Sequence, residues 1–221
     1  MKIVNISDTH TFHRDPLLTQ WLDEIEDKEN SMIIHAGDIS SSGNIKEVTD
    51  FFEWYDSLSF KHKILIAGNH DFLFEEEPSL IINLLGNFSS INYLEDSGIT
   101  IEGINIWGSP VQPWFHSWAF NRSRGDEIKK HWDKTPSNTH VWVTHGPPYL
   151  KGDRVLRGGE HVGCYDLLKK IEEIKPILHV SGHIHEGYGL NRNEHTTFIN
   201  AAVLDARYQM RNKPIIFDLE L

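Results

Sequence analysis

The chain has 221 residues, a net charge of −11 at pH 7 and a single cysteine, Cys164. Ordinary apolar and charged fractions exclude a disordered chain and fit one α/β domain spanning residues 1–221. The acidic balance argues against a grip on long nucleic acid, which needs a basic face. One cysteine excludes an intramolecular disulfide, and no apolar run approaches the roughly 20 residues of a membrane helix. The opening segment turns polar too early for a signal peptide, so the expected location is cytoplasmic, away from membranes.

Strand-like and helix-like segments alternate. Lys2 to Ser7 reads as a strand that delivers Asp8. Asp15-Pro16 is a helix start, with Leu18, Trp21, Leu22 and Ile25 as its apolar stripe. Met32 to His35 is a short buried strand leading into Gly37-Asp38. Ile45, Val48, Phe51, Phe52 and Tyr55 make a second helical stripe, and Ile64 to Ala67 a strand feeding Gly68-Asn69-His70. The acidic run Glu75-Glu76-Glu77 before Pro78 reads as a helix entrance. Ile91 to Glu95, Ile99 to Glu102 and Asn105 to Gly108 form short strands, with Gly103 at a hairpin turn. Ser109 to Gly125, rich in Pro, Trp and Phe, is an ordered loop. His140 to Thr144 is a strand delivering His145. Val162 to Ile174 is a helix on the spacing of Tyr165, Leu168, Ile171 and Ile174, ended by Pro176. Ile177 to Val180 delivers His183 and His185, and Thr196 to Asn200 and Ile215 to Leu219 close the fold.

Four of these strands end where a cluster of polar side chains begins, the place where α/β sheets assemble ligand sites. The clusters are Asp8-Thr9-His10, Gly37-Asp38, Gly68-Asn69-His70-Asp71, Thr144-His145-Gly146 and Gly182-His183-Ile184-His185. With 14 histidines in the chain, any one of these is weak. All five in order point to metal binding. Mixed imidazole, carboxylate and amide donors suit Mn, Fe, Co, Ni or Zn better than Ca.

The constellation resembles the calcineurin-like metallophosphoesterases, whose order of motifs it matches in full. Lys61-His62-Lys63, Gly108-Ser109-Pro110, Pro113-Trp114-Phe115, Phe120-Asn121, Arg124-Gly125, Val162-Gly163-Cys164 and His185-Glu186-Gly187-Tyr188-Gly189 narrow the resemblance. They look like the metallophosphoesterase-domain-containing (239-type) proteins, relatives of the class III cyclic-nucleotide phosphodiesterases. The resemblance implies a four-layer α/β/β/α sandwich of two mixed sheets flanked by helices, the metallo-dependent phosphatase fold. It implies two divalent transition-metal ions, Mn2+ foremost. One would be held by Asp8, His10, Asp38 and His185, and the other by Asp38, Asn69, His145 and His183, with Asp38 shared. His70 is then the general acid. Two metals about 3.5–4 Å apart would neutralise the phosphate oxygens and acidify a bridging water, supplying hydroxide in line with the leaving group. Hydrolysis of small phosphodiesters, cyclic nucleotides included, is the implied activity. A phosphomonoesterase or nuclease on the same site, or a non-catalytic scaffold, are the alternatives.

One departure bears on substrate. Protein Ser/Thr phosphatases of this superfamily carry a second Asp three residues after the shared one and an Arg after the Gly-Asn-His motif. Here Ser41 and Leu73 occupy those regions, which argues against protein phosphatase activity and leaves Asp71, by adjacency, as the candidate to orient His70. The expected partner is a small phosphodiester or nucleotide, and no feature of the sequence sets an oligomeric state. Trp114 and Arg124 are the candidate substrate-binding residues, within a loop that also holds Phe115, Trp118, Phe120 and Arg122. The aromatics either pin this loop to the core or stack on a base while an arginine meets phosphate. Arg154 and Arg157 lie in a Gly-rich stretch after His145 and read equally well as a solvated loop. Cys164 reads as helix packing.

Overall fold

A computed structural model describes residues 1–156 and 158–221; Arg157 lies outside the described residues. The strands are β1 (Lys2–Ile6), β2 (Met32–Ala36), β3 (His62–Ile66), β4 (Ile91–Tyr93), β5 (Ser97–Ile101), β6 (Ile104–Ser109), β7 (Gln112–Pro113), β8 (Asn121–Arg122), β9 (Val141–Thr144), β10 (Leu178–Ser181), β11 (Gly189–Arg192), β12 (Thr197–Asn200) and β13 (Ile215–Asp218). The helices are α1 (Pro16–Asp23), α2 (Ile45–Ser57), α3 (Phe72–Glu76), α4 (Pro78–Leu85), α5 (Asp126–Trp132) and α6 (Tyr165–Ile174).

Eleven of the strands form a five-stranded sheet in the order β13-β1-β2-β3-β4 and a six-stranded sheet in the order β11-β12-β10-β9-β6-β5, while β7 and β8 pair with each other inside the aromatic loop. Both are mixed. β1 through β4 run parallel with β13 antiparallel at one edge. In the second sheet β12, β10, β9 and β6 are parallel, with β11 and β5 antiparallel at the edges. Short buried runs such as Met-Ile-Ile-His-Ala in β2 bury both faces, as a central parallel strand must. Met32, Ile34 and Ala36 face Val141, Val143, Leu178 and Val180 of the other sheet. The alternate residue Ile33 packs against Val48, Phe51 and Tyr55 of α2 and Leu18 and Leu22 of α1. Outside the second sheet, Trp107, Trp142 and Phe198 pack on Ile128 and Trp132 of α5 and Leu167 and Ile171 of α6. Three apolar seams therefore separate four layers, α/β/β/α, as the resemblance implied.

Some local expectations shift. α6 begins at Tyr165, capped by Cys164, whose Sγ accepts from Leu167 N. Its buried face is Leu167 and Ile171, whereas Tyr165 is exposed with Lys169 Nζ 4.6 Å from its ring centre. Counting the stripe from Tyr165 therefore starts it on the solvent side of the helix. Glu75 and Glu76 end α3 instead of opening α4, and Glu75 clasps the aromatic loop, accepting from Phe120 N at 2.7 Å and Arg122 Nη1 at 3.0 Å. Among the described residues no helix is long and apolar enough to cross a membrane.

Candidate metal centre

The carboxyl ends of β1, β2 and β3 in one sheet meet those of β9 and β10 in the other. A bridge between Ser7 and Ala202 and the bond from Val203 N to Ser7 O, 3.0 Å, tie the two edges together. Past each strand end the chain turns sharply. Asp8, His10, Asp38 and His183 all adopt positive φ, between 40° and 66°. Left-handed backbone at a non-glycine residue costs on the order of 1–3 kcal/mol and persists where the surroundings enforce it. The enforcing bonds run between the loops: Asp8 N to Gly37 O at 3.0 Å, His10 N to Asp38 O at 3.0 Å and Gly182 N to His145 O at 2.9 Å. Gly182 is required for close approach, since a Cβ there would overlap Ser7 Oγ and Asp8 Oδ2.

All seven side chains expected as metal donors converge. Asp38 lies between two histidines, its Oδ2 3.5 Å from His10 Nε2 and 3.4 Å from His145 Nε2. Asp8 Oδ1 is 3.4 Å from His185 Nε2 and 4.0 Å from His10 Nε2. Asn69 Oδ1 is 2.9 Å from His145 Nε2, and the His145 and His183 rings are 5.0 Å apart. The donor atoms of Asp8, His10 and His185 lie within 4.8 Å of one another, as do those of Asp38, His145 and His183. His70 also reaches such a group with His10 and Asp38.

The histidines are aimed by main-chain carbonyls. His10 Nδ1 donates to Ser40 O at 3.2 Å, His145 Nδ1 to Ala36 O at 2.9 Å, and His185 Nδ1 to Asp205 O at 3.0 Å. A carbonyl only accepts, so Nδ1 carries the proton in each ring and Nε2 points into the centre, the usual arrangement for a metal-ligating imidazole. His10 Nε2 is buried without a hydrogen-bond partner among the described residues. Burial alone would lower His145 and His185, but the carboxylates of Asp38 and Asp8 hold both up at about 9. Burial would raise Asp8, yet His185 keeps it below the usual carboxylate range. Two buried carboxylates thus call for positive charge at this spot; protons on His145 and His185 meet that call in the free protein, and a cation that displaced them would find Nε2 atoms and an amide oxygen around it. These residues fit a divalent metal centre.

His70 sits at the rim, half-buried. Its backbone N donates to Asp38 Oδ1 at 2.8 Å and its Nδ1 to Ser41 O at 2.8 Å. The group that orients His70 is therefore the carbonyl of Ser41, and Asp71 is engaged elsewhere. The Asp71 carboxylate accepts from Gly68 N, Ile39 N, Ser40 N and Ser40 Oγ, bracing the loops that carry Asp38 and Asn69.

The aromatic loop divides its work. Phe120 is buried and pins the loop to the core. Trp118 lies over His70, ring centres 4.1 Å apart at 33°, and lines the metal cleft together with Phe115. Trp114 and Arg124 line a neighbouring cavity instead of the cleft itself. Arg124 is held by two carbonyls, Nη1 to Gly163 O at 2.8 Å and Nη2 to Val162 O at 2.6 Å. Tyr208, which carried no sequence signal, stands 5.0 Å from the ring centres of both His10 and His185 and lines the cleft. Asp205 had no signal either, and Ser41 drew notice only as the place of a missing aspartate, because both act through their backbone carbonyls.

Comparison with known proteins accords with this geometry. The model of the calcineurin-like phosphoesterase family matches residues 1–187. The chain is 37% identical to human metallophosphoesterase domain-containing protein 1 over 239 residues, covering 99% of this chain and 71% of the relative. It is 37% identical to UPF0046 protein C25E10.12 of Caenorhabditis elegans, covering 100% of this chain and 82% of that one. Among solved structures, TT1561 of Thermus thermophilus shares the fold at a TM-score of 0.61, with 12% identity over 90% of this chain and 88% of that one. An archaeal phosphodiesterase aligns at a TM-score of 0.50, with 15% identity over 98% of this chain and 100% of its own. The chain belongs to the calcineurin-like phosphoesterase family. Its class is that of metal-dependent phosphoesterases built on a His/Asp centre.

Proposed function

We propose that the protein hydrolyses small phosphodiesters, cyclic nucleotides among them, with two divalent transition-metal ions and His70 as general acid. Asp8, His10, Asp38 and His185 would hold one ion, and Asp38, Asn69, His145 and His183 the other; Mn2+ is carried over from the family resemblance, and the mixed imidazole, carboxylate and amide set accommodates Fe, Co, Ni or Zn as well. Bound there, the ions would neutralise phosphate charge and acidify water near neutral pH.

The observation that carries the reading is the placement of His70. Its Nδ1–H is spent on Ser41 O, its ring is clasped by Trp118, and its Nε2 is left facing the cleft at the rim of the donor cluster. A proton delivered from Nε2 of the imidazolium form of His70 to a departing alkoxide, leaving the neutral ring with Nδ1–H still on Ser41 O, is worth about 10²–10⁴-fold in rate. His10 packs edge-on against His70, ring centres 4.6 Å apart, which restricts rotation of the acid. The cleft, about 220 Å³, adjoins a larger cavity, so the phosphoryl group has room to carry an organic arm. That favours diesters. The absence of a carboxylate on His70 and of an arginine at Leu73 speaks against phosphoprotein substrates, and a full donor set speaks against a mere scaffold.

The test is turnover of bis-p-nitrophenyl phosphate against p-nitrophenyl phosphate with added Mn2+, alongside elemental analysis. Two ions per chain and faster diester hydrolysis are expected. One ion or fewer after full reconstitution refutes the dinuclear reading, and faster monoester hydrolysis refutes the diesterase reading.

A further inference from the structure

Beside the metal cleft lies a second cavity of about 410 Å³, within the range of small-molecule sites. Phe115 and His183 line both spaces, so the cavity continues the cleft. Its walls are mainly apolar, from Trp114, Phe115, Pro147, Val155 and Val162. Trp114 and Phe115 are 66% and 51% exposed, an unusual display for two adjacent large aromatics.

Besides Arg124, whose guanidinium is tied to the Gly163 and Val162 carbonyls, a second polar device among the described residues serves this cavity and has no part in the donor cluster. Asp153, 1% exposed, accepts from His161 Nδ1 at 2.7 Å, from Gly163 N at 2.9 Å and from Leu150 N at 3.0 Å. The carboxylate fixes the Nδ1–H tautomer and leaves Nε2 of His161, a lining residue, without a hydrogen-bond partner among the described residues. Bonds from Val155 N to Glu160 O, 3.0 Å, and from Val162 N to Asp153 O, 3.1 Å, hold the surrounding loop. A buried acid that orients one imidazole toward an apolar, aromatic-walled space is the arrangement of a recognition site: few polar groups, placed to read one edge of a ligand.

We propose that this cavity is a subsite for the non-reacting ester arm, selecting a flat aromatic or heteroaromatic ring that bears a hydrogen-bond donor. The ring lies against Trp114 and Phe115, and its N–H or O–H donates to His161 Nε2. The proposal rests on the phosphodiesterase reading, because only a diester keeps an organic arm on phosphorus once the leaving group has gone.

The experiment uses three Mn2+-supplemented substrates with one leaving group, p-nitrophenolate, at pH 8: the methyl, the thymidine 5′ and the N3-methylthymidine 5′ esters. Wild type is expected to prefer the thymidine ester over the methyl ester by about ten-fold or more in kcat/KM. His161→Phe should erase most of that preference. N3-methylation, which deletes the donor on the substrate, should do the same in wild type and add nothing in the variant. Val155→Trp, which fills the cavity without touching the dyad, should also lower the preference and serves should His161→Phe fail to fold. No preference in wild type, or equal losses on all three esters in both variants, overturns the subsite. Thymidine alone is the control independent of turnover: saturation-transfer NMR should detect its base protons on wild type and lose them on Val155→Trp. If no ester is hydrolysed, the diesterase reading fails, and thymidine binding or its absence then upholds or overturns the subsite by itself.

Discussion

Asp71→Ala tests how the metal loops are held. The carboxylate is fully buried. Oδ2 accepts from Gly68 N at 2.8 Å and Ile39 N at 3.3 Å, and Oδ1 from Ser40 N at 3.0 Å and Ser40 Oγ at 2.6 Å. It therefore joins the loop after β2 to the loop after β3, and with them Asp38 to Asn69. Alanine leaves two well-made amide donors and one longer one without an acceptor in a buried place. An unsatisfied buried donor costs about 1–3 kcal/mol, so the loss should total about 3–5 kcal/mol. Against a typical stability of about 5–15 kcal/mol, that is a large fraction. The assay is urea unfolding in the presence of chelator, so that metal linkage does not enter, with the midpoint falling and the slope unchanged. Asp71→Asn, which keeps one oxygen for one pair of donors, should lose less. A loss under about 1 kcal/mol for alanine would refute the bracing role and return Asp71 to solvent-replaceable status.

His70→Ala is expected to retain both metal ions by elemental analysis. It should slow hydrolysis of a nucleoside-alkoxide ester by about 10²-fold or more while scarcely affecting p-nitrophenolate esters, which leave without a proton; loss of an ion would make His70 a ligand with His10 and Asp38 instead. His179 lies outside the centre on β10, where burial lowers it from 6.5 to about 3 and Thr144 Oγ1 contacts its Nε2 at 3.0 Å. Below pH 6.5 the unfolded chain takes up a proton there that the folded chain refuses, so stability falls as pH falls, by up to about 1.4 kcal/mol per unit. Urea midpoints of chelated protein at about pH 7 and about pH 5 should therefore converge in His179→Gln relative to wild type, and equal pH slopes would show that His179 titrates normally in the fold.

The candidate metal donors were legible because each sits within a few residues of a buried strand end, where side-chain identity and position along the chain coincide. The four-layer arrangement was implied by the family resemblance, and the alternation of short apolar runs with helical stripes supplied the strands and helices that fill it. What escaped had physical reasons. The carbonyls of Ser41 and Asp205 aim His70 and His185, and a carbonyl has no residue type to betray it. Asp71 stands beside His70 in sequence, yet opens α3 and turns back toward Gly68 and Ser40, so adjacency misled. Trp114 and Trp118 are equivalent by composition, and only the fold shows that Trp118 covers His70 while Trp114 faces the next cavity. α5 and β11 were not anticipated. α5 is seven residues long, with only Ile128 and Trp132 on its buried face, and β11 is a mostly exposed edge strand.

The bridge from Ser7 to Ala202 makes the donor cluster a joint between halves of the molecule. Asp8, His10, Asp38 and Asn69 follow strands of the five-stranded sheet, whereas His145, His183 and His185 follow strands of the six-stranded one. Asp8 and the His183 amide that binds it are 175 residues apart in sequence. Neither sheet alone assembles either three-residue donor group, Asp8/His10/His185 or Asp38/His145/His183. A cation captured here would act as a rivet across the two sheets, and the free energy of its capture would add to their mutual adhesion in proportion to the logarithm of free metal. The joint brings together segments far apart in sequence, as does the pairing of β1 with β13 inside the first sheet, so both close long loops. Metal supply would then set how strongly the finished molecule resists opening along that joint.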